Sequence, residues 1–208
     1  MKTQIGHYFL LSELGRGGMG VVYKAYEPAL ERYVAIKELA VSLSHDAGLV
    51  ERFLREARAM AALSDPNIIQ IHAIGQEAEP PYFAMEFVEG ESLSSLLERE
   101  GPLKVSDALK ICQQAARGLS AAHAQGVIHR DIKPSNLMLN KRGQVKIADF
   151  GIAFTQRDAS KKLTSTGDVV GTPGYLSPEV CLGNPVDARS DLFALGIVLY
   201  EMLGKRLP

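Results

Sequence analysis

A chain of 208 residues, 46% apolar and 23% charged, has the composition of an ordinary globular protein with a sizeable core, which excludes a disordered chain. Its 23 basic and 24 acidic residues leave a formal net charge of −1 and no basic block, so no long-range field draws it to nucleic acid or an anionic membrane. Cys112 and Cys181 lie outside any metal-ligand spacing in apolar settings that suit buried thiols, no apolar signal core follows Met1-Lys2, and the run from Leu192 to Leu203 falls short of the roughly 20 residues that cross a bilayer.

Tyr8 to Leu14 and Val21 to Tyr26 alternate as strands do and flank Gly15-Arg16-Gly17-Gly18-Met19-Gly20, which predicts a glycine-rich turn between two antiparallel strands. A dinucleotide-binding turn would need a helix directly after its last glycine, whereas Val21-Val22-Tyr23-Lys24-Ala25 reads as a strand. Gly15, Gly17 and Gly20 would let backbone amides approach phosphates with no Cβ in the way; alone, the pattern equally fits an ordinary flexible hairpin. Val34-Ala35-Ile36-Lys37 is an apolar strand ending in a cation. Val50, Phe53, Leu54, Ala57, Met60 and Ala61 follow at helical spacing, and Glu51 or Glu56 on that helix could supply Lys37 with a carboxylate partner. After the turn Ser64-Asp65-Pro66-Asn67 come strands Ile68 to Ile74 and Tyr82 to Phe87, broken at Pro80-Pro81. Five strands and one helix thus complete a small lobe.

Val105, Ala108, Leu109, Cys112, Ala115, Ala116, Leu119 and Ala122 predict a long helix from Leu103 to Gln125 with a wide buried face. Gly118 costs that helix about 1 kcal/mol relative to Ala, which suggests close packing against a neighbour, and His123 reads as packing. Pro134 then breaks any helix in His129-Arg130-Asp131-Ile132-Lys133-Pro134-Ser135-Asn136, so this segment is expected to be an exposed loop. Its Asp, Lys and Asn are the parts that phosphoryl transfer requires: a proton acceptor for the attacking hydroxyl, a cation beside the moving phosphate and a metal ligand. Leu137-Met138-Leu139 and Val145-Lys146-Ile147 read as a hairpin turned at Lys141-Arg142-Gly143, followed directly by Asp149-Phe150-Gly151. A polar stretch, Thr155 to Asp168, leads to Gly171-Thr172-Pro173-Gly174-Tyr175-Leu176-Ser177-Pro178-Glu179. Asp187 to Asp191 opens the last helix, Leu192 to Leu203, with Asp191 expected as its cap and burial expected almost all round.

These motifs, in this order, resemble the eukaryotic-type (bacterial, Hanks-type) serine/threonine protein kinase catalytic domain, and the resemblance spans nearly every residue. It implies an α+β, bilobal protein-kinase-like fold: a five-stranded antiparallel N-lobe with one main helix and the hinge over 1–88, and a partial, mostly helical C-lobe over 89–208. It implies ATP and Mg2+, and protein substrates with Ser/Thr acceptors. Asp131 would position and deprotonate the hydroxyl, Lys133 would neutralise charge on the moving phosphoryl, and Lys37 would reach the phosphates with Glu56 as its partner. Asn136 and Asp149 would ligate the metal. Leu14, Gly15, Gly17 and Gly20 would cover the nucleotide, Val22 and Ala35 would face Met138 across the adenine, and Met85 would guard the pocket behind a hinge whose backbone at Glu86 and Val88 bonds the base. Met60 would pack inward beneath Glu56, and Asp191 would hold the backbone of the loop around Asp131.

The Gly-Thr-Pro-Gly-Tyr run resembles the serine/threonine subclass, in which Thr172 would bond to Asp131 and Lys133; Ser177-Pro178-Glu179 stands where the wider family has Ala-Pro-Glu. Thr164 and Thr166 resemble the pair that bacterial relatives phosphorylate on themselves, with Arg130 reaching toward the phosphate and a homodimer as the setting. The family continues for several helices past the position of Pro208, so an incomplete C-lobe is expected, with apolar faces of the last helix exposed and Glu179 lacking its arginine. The expected location is cytoplasmic, alone or as the cytoplasmic part of a membrane-anchored protein. Two other classes share parts of this pattern. A small-molecule phosphotransferase of the antibiotic-kinase type would lack Lys133 and the Gly-Thr-Pro-Gly-Tyr run, and a non-catalytic, nucleotide-binding pseudokinase-like fragment is favoured where a catalytic residue is lost; all are present here, so only the incomplete C-lobe supports it.

Overall fold

The strands of the first part of the chain build one antiparallel sheet. The computed structural model describes residues 2–75, 80–150 and 173–208. Across the sheet the order is β1 (Gln4–Ile5), β2 (Tyr8–Gly17), β3 (Gly20–Glu27), β4 (Arg32–Leu39), β6 (Tyr82–Glu86) and β5 (Ile71–Gly75), each neighbouring pair antiparallel. The sixth strand, beyond the five expected, exists because Gly6 adopts φ +55° and turns Ile5 back onto Tyr8. Ile5, Tyr8, Ala25, Val34, Ile36, Tyr82 and Ala84 form a core on one face. The other face receives helix α1 (Ala47–Ala61), whose first turn is capped by Asp46 accepting from the Gly48 and Leu49 amides. It buries Phe53, Glu56, Ala57 and Met60, with the Phe53 ring 5.0 Å from that of Phe83.

Backbone contacts divide the chain into two units, Met1–Ser64 with Ile69–Phe87 and Asp65–Ile68 with Val88–Pro208. Asn67 explains why Asp65–Ile68 belong to the second unit. Its carbonyl accepts from Ile147 N at 2.8 Å and its side-chain amide donates to Val145 O at 2.8 Å, while Ile68 bridges to Ile147. The strand expected from Ile68 accordingly starts only at Ile71.

The second unit holds a three-stranded sheet, β7 (Gly90–Ser92), β8 (Leu137–Asn140) and β9 (Val145–Ile147), with helices α2 (Leu93–Glu100), α3 (Val105–Ala124), α4 (Pro178–Cys181) and α5 (Ala188–Gly204). Helix α3 buries Ala108, Ile111, Ala115, Gly118, Leu119 and Ala122. A Cβ on Gly118 would stand 2.9 Å from Ile147 Cδ1 and 3.0 Å from Asn67 O, which is the close packing its helix cost implied. Helix α5 departs from expectation in its cap, and of the two expectations for its faces, burial almost all round fails while exposed apolar faces are met. Asp187, not Asp191, is its cap and accepts from Arg189 N, which leaves Asp191 in the first turn. Its burial is one-sided: Ala194, Leu195, Val198 and Met202 are buried, whereas Leu192, Phe193, Tyr200 and Leu203 are exposed. Cys181 is exposed and Cys112 half-buried, because the short α4 presents Cys181 outward. No helix of the described residues is long and apolar enough to cross a membrane.

Replacing Gly118 with Val drives two methyl groups into Asn67 and Ile147, and overpacking of this kind costs about 1–3 kcal/mol. Urea unfolding of Gly118→Val should show a lower midpoint at an unchanged m-value, the drop in midpoint multiplied by m giving that loss of stability.

Candidate functional site

In the first unit, strand register decides which side chains can act together. Val22 pairs with Lys37, Lys37 with Phe83 and Ala35 with Met85, and since residues two apart share a face, Val22, Ala35, Lys37 and Met85 line one side of the sheet. Helix α1 delivers Glu56 to that side, where its Oε1 stands 3.7 Å from Lys37 Nζ. Glu51, on the same helix, is exposed. Both members of the ion pair are largely buried, with side-chain exposures of 12% and 4%, so each charge needs the other. Met60, one turn after Glu56, is fully buried.

Of the three glycines proposed for phosphate approach, Gly15 and Gly17 face open space. Gly20 does not, since a Cβ there would strike the Glu38 carbonyl on β4. Its glycine is required by strand packing, and the sequence pattern does not separate that reason from the phosphate one. Leu14 is half-exposed, while Ala35 and Met85 are buried. The Glu86 amide donates to Gln70 O at 2.8 Å, so that amide is already engaged within the sheet.

In the second unit, the segment from His129 to Asn136 is organised by the buried carboxylate of Asp191. Asp191 Oδ2 accepts from His129 N at 2.8 Å and Oδ1 from Arg130 N at 2.8 Å, while His123 Nε2 donates to Oδ2 at 2.7 Å. His123, read from sequence as packing, is thus the third donor; its partner lies 68 residues away, and no local pattern announces it. Arg130 sits at φ +67°, a conformation that costs a residue bearing a Cβ about 1–3 kcal/mol. Two charge-assisted hydrogen bonds, each worth about 1.5–3 kcal/mol, outweigh it.

His129 is fully buried and its ring connects two strands of backbone. The Asp131 amide donates to Nδ1 at 3.2 Å, so Nδ1 must be the bare nitrogen and Nε2 carries the proton that reaches Ala148 O at 2.9 Å. This is a neutral imidazole. Burial pushes it below the usual histidine range, against Asp191, the Ala148 carbonyl, Asp131 and Asp149, which all act in the opposite sense. Its ring also packs 4.5 Å from that of Phe150.

Lys133 Nζ lies 2.7 Å from Asp131 Oδ2, and Asn136 Nδ2 donates to the same oxygen at 3.1 Å and to Asp131 O at 2.8 Å. Pro134 opens a short 3-10 turn, Pro134–Asn136, that brings Asn136 back onto Asp131. Ala148 N donates to Asn136 O at 2.8 Å, which sets the chain just before Asp149, itself at φ +51°. Met138 is half-buried on β8 and Val88 buried ahead of β7. Glu179, expected to lack a partner, accepts from Ser190 Oγ at the start of α5, a contact that helps hold its carboxyl below the usual range. Thr164, Thr166, Thr172 and Gly151 lie outside the described residues.

The sequence from Tyr8 to Pro208 matches the family described as protein kinase domain, over residues 8–208. It is 45% identical over 207 residues to the serine/threonine-protein kinase pkn2 of Myxococcus xanthus, covering 98% of this chain and 25% of that protein. It is 41% identical over 207 residues to the serine/threonine-protein kinase PrkC of Bacillus subtilis, covering 100% of this chain and 32% of that one. The chain therefore spans about a third or less of the length of these two curated relatives. Among solved structures, the crystal structure of the Mycobacterium tuberculosis PknI kinase domain superposes with a TM-score of 0.78 at 28% identity, covering 100% of this chain and 79% of that one.

The buried neutral His129 makes stability depend on pH with a definite sign. An unfolded histidine takes up a proton below about pH 6.5, whereas His129 in the fold resists it, so stability is full above that pH and falls as pH drops below it, by at most about 1.4 kcal/mol per pH unit. Unfolding free energies measured from pH 8 down to roughly pH 5 should show this slope in the parent chain and lose that component in His129→Gln.

Proposed function

The chain belongs to the protein kinase domain family, and from that premise we propose that it transfers the γ-phosphoryl group of ATP to serine or threonine hydroxyls of proteins. The observation that carries this reading is the Asp131 carboxylate held by Lys133 and Asn136 on a single hydrogen-bonded loop. Oδ2 of Asp131 is engaged by both neighbours, so Oδ1 is the oxygen that orients an acceptor hydroxyl and takes its proton. The Asp131 side chain is one-third exposed, with 33% of its surface accessible, as approach by a macromolecular acceptor requires. Lys133 has further ammonium protons to direct at phosphoryl oxygens, where positive charge stabilises the transition state. On this reading Lys37, oriented by Glu56, holds the nucleotide phosphates.

The donor set suits Mg2+. Asn136 directs its NH2 to Asp131, which leaves its carbonyl oxygen for a cation, and with the Asp149 carboxylate this makes an oxygen-only pair. No group of three or more His, Cys, Asp or Glu side chains able to hold a metal occurs among the described residues, and magnesium, which keeps several waters and takes phosphate oxygens, needs none. When bound, the metal would neutralise phosphate charge. On the same reading the chain works in the cytoplasm, with a second copy of itself among its acceptors.

Lys37→Met and Asp131→Asn should each lower transfer from radiolabelled ATP to a generic protein acceptor by about a hundredfold or more, at a temperature where far-UV circular dichroism shows the variant folded; Lys37→Met, which removes half of a buried ion pair, should also melt earlier than the parent. Intact turnover in either variant removes that residue from the site. Control is expected at Thr164 and Thr166: mass spectrometry of the purified chain should find phosphate there, absent from Asp131→Asn, and replacing both with Ala should slow transfer while nucleotide binding persists. Full activity with no phosphate between Thr155 and Val170 would sink this part of the proposal.

A further inference from the structure

A groove of about 800 Å³ opens on the second unit between the end of α2, one face of α3 and the β8–β9 turn. Leu96, Leu103, Ile111 and Leu139 contribute aliphatic surface to it. Lys104, Lys110, Arg117 and Arg142 also line it, against two carboxylates, Glu100 and Asp107. Glu100 is taken up by Arg99, and Asp107 stands 3.5 Å from Lys110 in an exposed pair of the kind that contributes little. Lys104, Arg117 and Arg142 make no ion pair with other described residues. A chain whose net charge is only −1 therefore concentrates positive charge around one apolar groove.

The spacing of the cations specifies what fits. Lys110 and Arg117 are seven residues apart, two turns of α3, and so about 10 Å apart along one face. A polyproline-II segment returns to the same side every three residues after about 9 Å. We propose that this groove docks an extended segment of a partner protein that carries an acidic residue at every third position and large aliphatic side chains between them. The aliphatic residues bury against Leu96, Leu103 and Leu139, which are only half-buried, while the carboxylates meet Lys110, Arg117 and Arg142. Nucleic acid fits less well, since no aromatic side chain among the described residues lines the groove to stack a base. An anionic bilayer surface has no side chain to fill a recess. Docking needs no nucleotide, so it stands or falls separately from the phosphoryl-transfer reading.

The test is fluorescence anisotropy on the whole chain with two short fluorescein-labelled peptides, one with Glu at every third position and Leu between, the other with each Glu replaced by Lys. The acidic peptide should bind and the basic one should not. Combined Lys110→Glu and Arg117→Glu should weaken the acidic peptide about tenfold or more and should gain binding of the basic peptide, a reversal that an unfolded variant cannot produce. Arg142→Glu, on the turn outside the helix, should also weaken the acidic peptide. Equal binding of both peptides by the parent, or unchanged affinity in both variants, would overturn the proposal. Displacement of the acidic peptide by phosphatidylserine vesicles or a single-stranded oligonucleotide at matched charge concentration would also overturn it, by showing a surface for anions in general.

Discussion

One buried carboxylate, that of Asp191, decides the shape of the loop on which the proposed chemistry depends. Two successive backbone amides, His129 N and Arg130 N, can converge on a single carboxylate only if the chain turns sharply, and the turn is visible as φ +67° at Arg130. Arginine does not choose that conformation by itself, so the hydrogen bonds impose it. The chain leaving the turn is then caught from the other side by His129, whose Nδ1 accepts the Asp131 amide. Asp131 is thereby fixed at its backbone before Lys133 and Asn136 engage its side chain.

The same polar chain continues to the proposed metal ligands. His129 Nε2 bonds the Ala148 carbonyl and Ala148 N bonds the Asn136 carbonyl, so the residues next to Asp149 are tied to the loop that carries Asp131. A network of this kind is stable only when complete, because each buried donor or acceptor left without a partner costs about 1–3 kcal/mol. His123 completes the set around Asp191, and the neutral state of His129 follows from the two bonds its ring makes. In the first unit, a buried lysine and a buried glutamate are tolerable because they lie 3.7 Å apart, and that pairing orients Lys37 on the face it shares with Val22, Ala35 and Met85.

The exposed side of α5 and the groove along α3 are surfaces of different character. Leu192, Phe193, Tyr200 and Leu203 are apolar and uniform in chemistry, whereas the groove places cations at a fixed spacing beside its aliphatic residues. Burial alone would answer the first; the second discriminates between partners by charge.

Local chemistry was enough to read most of the strands, α1, α3 and the loop between His129 and Asn136, though not the burial of His129, Ile132, Pro134 and Asn136 within it, because period, glycine and proline act on near neighbours in the chain. Lys37, Asp131, Lys133, Asn136 and Asp149 became candidates through the resemblance of their motifs, taken in order, to the protein kinase family. The choice between Glu51 and Glu56 was not settled by helical spacing, and only packing of α1 on the sheet turned Glu56 inward and left Glu51 in solvent. Gly20 looked like its neighbours Gly15 and Gly17 until β4 was beside it. The strands β1 and β7 and the helix α2 escaped notice because two, three and eight residues carry too little periodicity to stand out. The local pattern of an Asp ahead of an apolar run made Asp191 a helix cap, a place that Asp187 takes; the hold of Asp191 on the amides 61 and 62 residues away was implied only by the family resemblance, and the structure bears that out. Partners so distant leave no mark in a local pattern. The sequence determined which side chains the chain possesses and which segments coil or extend; tertiary contact decided which charges are buried together, because the cost of a buried charge is known only once the fold has named its partner.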